Sequence, residues 1–471
     1  MTLTWQDYRN WLGDTAISAM PEKSQAPAAT SWGTDSRSIA KGTWFVPIRG
    51  ELFNGHKFIN SAMENGAQGF IYDKDSKSDF HEKYREFGIM VTDTLVAYQQ
   101  IAAGWRTTLN KTRIAAITGS VGKTTTKEMI ACVFREAGNC FSTHGSFNNE
   151  IGVPKSVLAI KKTDEYAVLE FGAKRLGNIK FLCEIAKPDI SVLLNVGVAH
   201  LGIFGSLENL RNTKLEIFRN SPKHAILIVH RDEDKNFIPA KETGKTIISF
   251  GHHPESDVRI MKSEIDTTKG LTHFELQYKS KIFKAMLKTC HKAFPVNAAA
   301  AIATGIAAGI PMDVAIKGLA AFEPVAGRFK IMRGENLVAI DDTYNANPDS
   351  MKAGILSVVE QFPGKKMNLL LGGMLELGDD SAKMHGEIGE FLARYPVNNL
   401  VTVGADANYI GESFNASIKN SGKIYHFNTV EDAIKHSADI LNGAEVLFVK
   451  GSNGIGLTQF LSHLKTNGIL Q

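Results

Sequence analysis

The stretch RIAAITGSVGKTTTKEMI, Arg113 to Ile130, decides how the rest of the chain is read. Arg113–Thr118 strings β-branched and small apolar residues together, as a buried strand does. Gly119-Ser120-Val121-Gly122-Lys123-Thr124 follows at once, and Thr125–Arg135 has helical spacing. Strand, glycine loop, Lys-Thr and helix together form a phosphate cradle. Backbone N–H groups of the loop and the helix N-terminus converge on one spot and favour an anion there. In that pattern Lys123 reaches the β/γ-phosphates of a nucleotide and the Thr124 hydroxyl holds Mg2+. The full pattern also has glycine five residues before Gly122, where this chain has Ile117, so this is the shortened GxxGKT form.

Composition bounds the rest. At 471 residues the chain has room for two to four domains, and 43% hydrophobic with 22% charged residues describes an ordinary globular protein. The net charge of +4, from 53 basic and 49 acidic residues, gives no warrant for a nucleic-acid partner. Cys132, Cys140, Cys183 and Cys290 have no CxxC spacing, which points to a reduced compartment without a disulfide or zinc framework. Met1–Asp14 lacks the basic start and apolar run of a secretory signal. Ala293–Ile310 is the most apolar stretch, but Pro295, Asn297 and Thr304 interrupt it, so it reads as a core helix and not a membrane span.

Three units emerge along the chain. Residues 1–94 combine a helix at Trp5–Leu12, a loop at Ala26–Trp32, a polar turn (Asp35-Ser36-Arg37) leading into a strand, a helix near Phe58–Asn65 and a strand at Gly69–Tyr72. Residues 95–323 carry the phosphate cradle, then strands near Ala167–Phe171, Ile190–Asn195 and Ala225–Val229, and a hairpin at Thr272–Leu276 and Ile282–Leu287. Helices between strands predict an α/β unit with a mainly parallel sheet. Glu170 and His200 stand at or just beyond strand ends, where ligands of open α/β sheets sit. Both are candidate Mg2+ ligands; a helix cap or ion pair for Glu170, and an ordinary loop position for His200, are the alternatives. Phe322–Gly327 reads as a linker, and residues 324–471 alternate again in a Rossmann-like layered unit without GxGxxG, with helices expected at Pro348–Gln361 and Val430–Leu441 among others. Its polar loops Asp341–Pro348, Gly372–Glu376 and Lys450–Gly454 should line one sheet edge. In Ser206–Phe218, Lys214 falls on the stripe made by Leu207, Leu210, Ile217 and Phe218. Its stem can pack there with the ammonium reaching water, or the ammonium can be buried for a purpose.

GSVGKTT (119–125), SFNNEIGVP (146–154), EFGA (170–173), NVGVAH (195–200), NAAAA (297–301), GRFK (327–330) and DDTYNANPDSM (341–351) fall in the order seen in the Mur ligases, and the chain resembles that family over all three units. These are ATP-dependent amide ligases of peptidoglycan precursor synthesis. The segment from Thr34 to Ile59 and YNANPDSM are most similar to the branch that joins D-alanyl-D-alanine to UDP-N-acetylmuramoyl-tripeptide. The Asp-Asn-Pro-Arg of the branch that adds the third residue is absent; Asn347-Pro348-Asp349-Ser350 stands there. Ala293 and Phe294 occupy the places of a frequent His-Asn pair, so only Asn297 is carried over as an adenine contact. Gly177-Asn178-Ile179 lacks the acidic residue that many members have after EFGA.

The resemblance implies roles. Gly119, Ser120, Val121, Gly122, Lys123, Thr124 and Thr125 cradle ATP, Arg328 approaches the γ-phosphate, and Asp342 approaches the ribose. Thr124 and Glu170 hold one Mg2+; His200 and Lys214 serve a second, with Lys214 as a carbamate. Asn148, Asn149 and Asn347 contact the UDP-sugar peptide, with Ser36 and Arg37 toward its nucleotide end. A cytoplasmic monomer acting on small molecules is expected. The third residue of the tripeptide, meso-diaminopimelate or lysine, stays open. The rivals are a ligase of the same fold with another acid or amine, a P-loop kinase, and a nucleotide-binding protein without catalysis.

Overall fold

A computed structural model describes residues 3–18, 20–21, 26–50, 53–197, 204–266, 269–417 and 422–471. Its strands form three sheets, of four, nine and six strands. The first is parallel throughout: β1 (Trp32–Gly33), β2 (Trp44–Phe45), β3 (Gly69–Asp73) and β4 (Gly88–Val91) in sequence order. Residues Ala29–Ser31, within a stretch expected to be loop, form a short 3-10 turn. The Tyr8 hydroxyl, on the helix Trp5–Leu12, donates to the carbonyl of Pro27 at 2.8 Å and accepts from Trp32 Nε1 at 3.2 Å.

The second sheet is built around β5 (Arg113–Thr118). Every residue of β5 after Arg113 is buried, because helices cover both faces and no alternation of polar residues is possible. From β5 the chain passes to β6 (Cys140–Ser142) and β7 (Tyr166–Glu170) on one side. It then crosses to β8 (Ile190–Leu193), β9 (Ile226–His230) and β10 (Ile247–Gly251) on the other. That reversal beside β5 opens a crevice at the carboxyl ends of the strands, directly under the glycine loop. The sheet continues into β11 (Val258–Asp266), β12 (Leu271–Tyr278) and β13 (Lys281–Leu287). The expected hairpin is β12–β13, paired antiparallel. Strand β11 was not foreseen: four consecutive residues, Met261–Glu264, are exposed, and Lys262, Ser263 and Glu264 hide the strand pattern.

The amino end of β5 is pinned by Asp189. Its Oδ2 accepts from the Ile114 backbone N–H at 2.9 Å and from Arg106 Nη2 at 3.0 Å. Arg106 also donates through Nε to the Ala186 carbonyl at 2.9 Å. Both side chains are largely buried, so removing the carboxylate strands a desolvated guanidinium. Asp189→Ala should lose about 3 kcal/mol of stability, read as a lower urea midpoint at unchanged slope.

The helix Phe294–Ala307 is buried on nearly all sides, and its alanines allow close approach to the sheet. Pro295 sits in its first turn, where a missing N–H costs nothing. No helix among the described residues is long and apolar enough to cross a membrane.

The third sheet runs β14 (Lys330–Arg333), β15 (Val338–Asp342), β19 (Val446–Lys450), β16 (Met367–Gly372), β17 (Asn399–Val403), β18 (Lys423–Phe427). It is parallel except for β14, an antiparallel edge strand that the sequence pattern did not reveal. Helix Pro348–Gln361 follows β15 with the bounds expected, while the stretch 430–441 breaks at His436 into two short helices. The three polar loops meet. Ser452 N–H donates to the Gly373 carbonyl at 3.1 Å, and Ser452 Oγ accepts from the Leu375 N–H at 2.9 Å and donates to the Ala346 carbonyl at 3.4 Å. The second and third sheets share one apolar core, running through Phe294, Phe322 and Phe329 to Phe448.

Candidate active site

A cavity of about 930 Å³ lies where the carboxyl ends of the second and third sheets face each other. Its floor is the glycine loop. Gly122 has φ +84°, and a Cβ there would come within 3.1 Å of Asn297 Oδ1, so both the left-handed turn and the close approach require glycine. Asn195, at the end of β8, fixes the loop from outside. Its Oδ1 accepts from Val121 N–H at 2.9 Å and its Nδ2 donates to the Val121 carbonyl at 3.0 Å. The Lys123 ammonium donates to the Gly119 carbonyl at 2.8 Å. Burial lowers its pKa, with the Glu170 charge opposing and the Arg328 charge adding to the shift.

Beside the loop, Thr124 Oγ1 donates to Glu170 Oε2 at 2.9 Å, and Asn148 Nδ2 donates to Glu170 Oε1 at 3.0 Å. Lys214 lines the same cavity from the helix Leu207–Asn220 and is 2% exposed. Burial, reinforced by the nearby Lys123 charge, lowers its pKa to about 7, against the pull of Glu170 and Glu216. It forms no ion pair among the described residues. Leu210, Ile217 and Phe218 of its stripe are buried as expected, whereas Leu207 is at the surface.

The third unit supplies the opposite wall. Arg328 Nη2 donates to Thr124 Oγ1 at 3.1 Å, and its guanidinium lies 3.8 Å from the centre of the Tyr344 ring. The next residue, Phe329, is held at φ +57°, a conformation that costs a non-glycine residue about 1 kcal/mol. Asp342 Oδ2 accepts from Lys450 Nζ at 2.6 Å in a nearly buried pair. Its neighbour Asp341 instead fastens the linker, accepting from the Gly327 N–H at 2.8 Å. His291 is stacked on Phe294 and edge-on to Phe329, and burial pushes its pKa down to about 4, leaving it neutral.

Models of three Mur ligase domains match consecutive parts of the chain. The family's catalytic domain matches residues 29–106, the middle domain 117–305 and the glutamate ligase domain 327–453. The UDP-N-acetylmuramoyl-tripeptide–D-alanyl-D-alanine ligase of Bacillus subtilis (strain 168) is 33% identical over 435 residues, 92% of each chain. The chain belongs to the Mur ligase family. The enzyme of the same name from Escherichia coli (strain K12) is 30% identical, over 92% of this chain and 93% of that one. Among solved structures, MurF from Acinetobacter baumannii superposes with a TM-score of 0.85 at 28% identity, covering 99% of both chains. MurF ligase from Thermotoga maritima in complex with ADP gives 0.81 at 28%, covering 94% of this chain and 99% of that one. The three-sheet arrangement is thus the three-domain Mur ligase architecture.

The cavity of this Mur ligase gathers most of the residues marked by the sequence: Ser120, Val121, Gly122, Lys123, Thr125, Glu170, Lys214, Asn297, Arg328 and Asp342. Thr124 joins them through its bonds to Glu170 and Arg328. Asn148, Asn149 and Asn347 also line it, but the Oδ1 atoms of two of them are taken up by the start of the following helix, Asn347 as its N-cap. Asn149 Oδ1 accepts from the Gly152 N–H at 2.9 Å, and Asn347 Oδ1 from the Ser350 N–H at 2.9 Å. Ser36 and Arg37 are not brought to this cavity. Ser36 is buried in the first unit, and Arg37 is at the surface in a bidentate pair with Asp35. His200 lies outside the described residues. Asn195, His291, Tyr344 and Lys450 were not expected in the site. Asn195 and Tyr344 belong to polar loops that follow strands and Lys450 ends β19, but their partners are distant in sequence; His291 carried no signal, being two residues from where the family motif places a histidine.

Proposed function

We propose that this Mur ligase joins D-alanyl-D-alanine to UDP-N-acetylmuramoyl-tripeptide at the expense of ATP, in the cytoplasmic stage of peptidoglycan synthesis. What carries this is one cavity in which Lys123, Glu170 and Lys214 of the central unit meet Arg328, Asp342 and Lys450 of the third. The likeness to ligases of that name over more than nine-tenths of the chain supports it. The division into residues 1–94, 95–323 and 324–471 then has a functional meaning: a first unit toward the UDP end, a central ATP unit and a third unit that closes over the nucleotide.

In this reaction the terminal carboxylate of the tripeptide attacks the γ-phosphorus of ATP, giving an acyl phosphate and ADP. The amine of the dipeptide then attacks the acyl carbon, the C–O bond to phosphate breaks, and the amine loses a proton. Both steps gather negative charge on oxygen. Lys123 and Arg328 face that charge as preorganised cations in a partly enclosed cavity, where they are worth more than at a surface. Asn297 lies against the glycine loop on the adenine side, and Asp342, held by Lys450, on the ribose side. Asn148 steadies Glu170 and faces the peptide.

Mg2+ fits the donors present. The Thr124 hydroxyl and the Glu170 carboxylate are hard oxygen ligands on one wall of the phosphate site. When bound, Mg2+ neutralises the β/γ-phosphate charge. A second ion would be served by His200 and by a carbamate on Lys214, whose buried and readily neutralised amine suits that modification.

The test is product analysis with UDP-N-acetylmuramoyl-tripeptide, D-alanyl-D-alanine and ATP. One amide-linked pentapeptide per phosphate released supports the proposal; a stable phosphorylated hydroxyl compound would mark a kinase instead.

A further inference from the structure

Between β7 and the helix Asn178–Ala186 lies the loop Gly172–Gly177, which places Lys174 and Arg175 on the wall of the active-site cavity. The loop is held at two points. Asn178 Oδ1 accepts from the N–H groups of Lys174 and Arg175 at 3.0 and 3.1 Å. Glu216, two residues beyond Lys214, accepts from Gly177 N–H at 2.6 Å and from Lys180 N–H at 2.9 Å. An asparagine rather than an acidic residue at 178 therefore serves locally, by fixing the backbone that carries two cations. Neither Lys174 nor Arg175 forms an ion pair among the described residues. Glu170, by contrast, is engaged with Thr124 and Asn148, and Asp342 with Lys450.

Resting on the ligase function proposed above, we infer that Lys174 and Arg175 select a tripeptide whose third residue carries a second, side-chain carboxylate, a diamino dicarboxylic acid in place of lysine. The reacting α-carboxylate must sit at Lys123 and Glu170. The side chain of the third residue branches from the same carbon, so its end lies within one side chain's length of that point. Lys174 is only four residues beyond Glu170, at the same strand end. The carboxylate of the preceding D-glutamyl residue lies further back, toward the UDP-sugar. A lysine side chain would bring an ammonium against two unpaired cations, whereas a dicarboxylic residue presents an anion to them. Glu150, on the same cavity wall, offers the opposite charge to that residue's own ammonium.

The test compares kcat/KM for two UDP-muramoyl tripeptides, one ending in meso-diaminopimelate and one in lysine, in the wild type and in Lys174→Gln/Arg175→Gln. The wild type should prefer the dicarboxylic substrate by about 10- to 150-fold, the value of one charge-assisted hydrogen bond. In the double variant that ratio should fall toward one, through a raised KM for the dicarboxylic substrate, and Lys174→Arg should keep the preference. An equal loss on both substrates would overturn the inference, since the cations would then read a carboxylate common to both. So would a wild type that does not discriminate. If the wild type turns over neither tripeptide, it is the ligase proposal that fails.

Discussion

Lys123→Ala should abolish ligation, lowering kcat by about a thousandfold or more, while the protein unfolds at an unchanged or slightly higher temperature. The ammonium is half-buried at the head of the helix Lys123–Ala137 and bonds to loop carbonyls, with Glu170 and Arg328 as its charged neighbours. It is therefore a cation kept at a desolvation cost for a purpose other than stability. Facing a transferring phosphoryl group, it offsets charge that grows as the P–O bond to ADP breaks. Phosphate release and thermal unfolding, measured side by side, check this. A well-folded Lys123→Ala with near-normal turnover would remove the phosphate cradle from the account.

Lys214→Ala should cost about a hundredfold or more in kcat, and a small carboxylate such as acetate should restore part of it. At the proposed Mg2+ and ATP site, an unmodified ammonium would repel the first and serve the second no better than Lys123 does. A carbamate at the same atom is an oxygen donor for the metal. The amine must be neutral to accept carbon dioxide. With the pKa lowered to about 7, the neutral form dominates above that pH and is lost as pH falls through it. Carbamate occupancy should fall in the same window. A 13C carbonyl signal after exposure to labelled bicarbonate, absent in Lys214→Ala, reads the modification without reference to activity. Normal ligation by Lys214→Ala would contradict it.

The phosphate cradle, the alternating units and the helix Pro348–Gln361 were legible because each is local: glycine φ requirements, β-branched runs and an Asn-Pro cap lie within a few residues of one another. Strands β11 and β14 were not. Both are short on burial, and their exposed lysines and glutamate look like loop until a neighbouring strand supplies the pairing. The same split holds in the site. Lys123, Thr124 and Glu170 announce themselves by motif and strand end. The Asn195 clamp on Val121 and the Lys450 hold on Asp342 join residues 74 and 108 positions apart, which no periodicity records. Arg328 is the intermediate case. Its motif marked it, but its bond to Thr124 across the two units, 204 residues apart, appears only in the fold.

Isotope transfer tests the ligase chemistry most directly. The tripeptide is prepared with 18O in its terminal carboxylate and incubated with ATP, Mg2+ and D-alanyl-D-alanine, and the released phosphate is analysed by mass spectrometry. An acyl phosphate predicts one 18O per phosphate, with the other carboxylate oxygen retained in the new amide. Unlabelled phosphate alongside amide product would contradict it, because the carboxylate would then never have bonded to phosphorus.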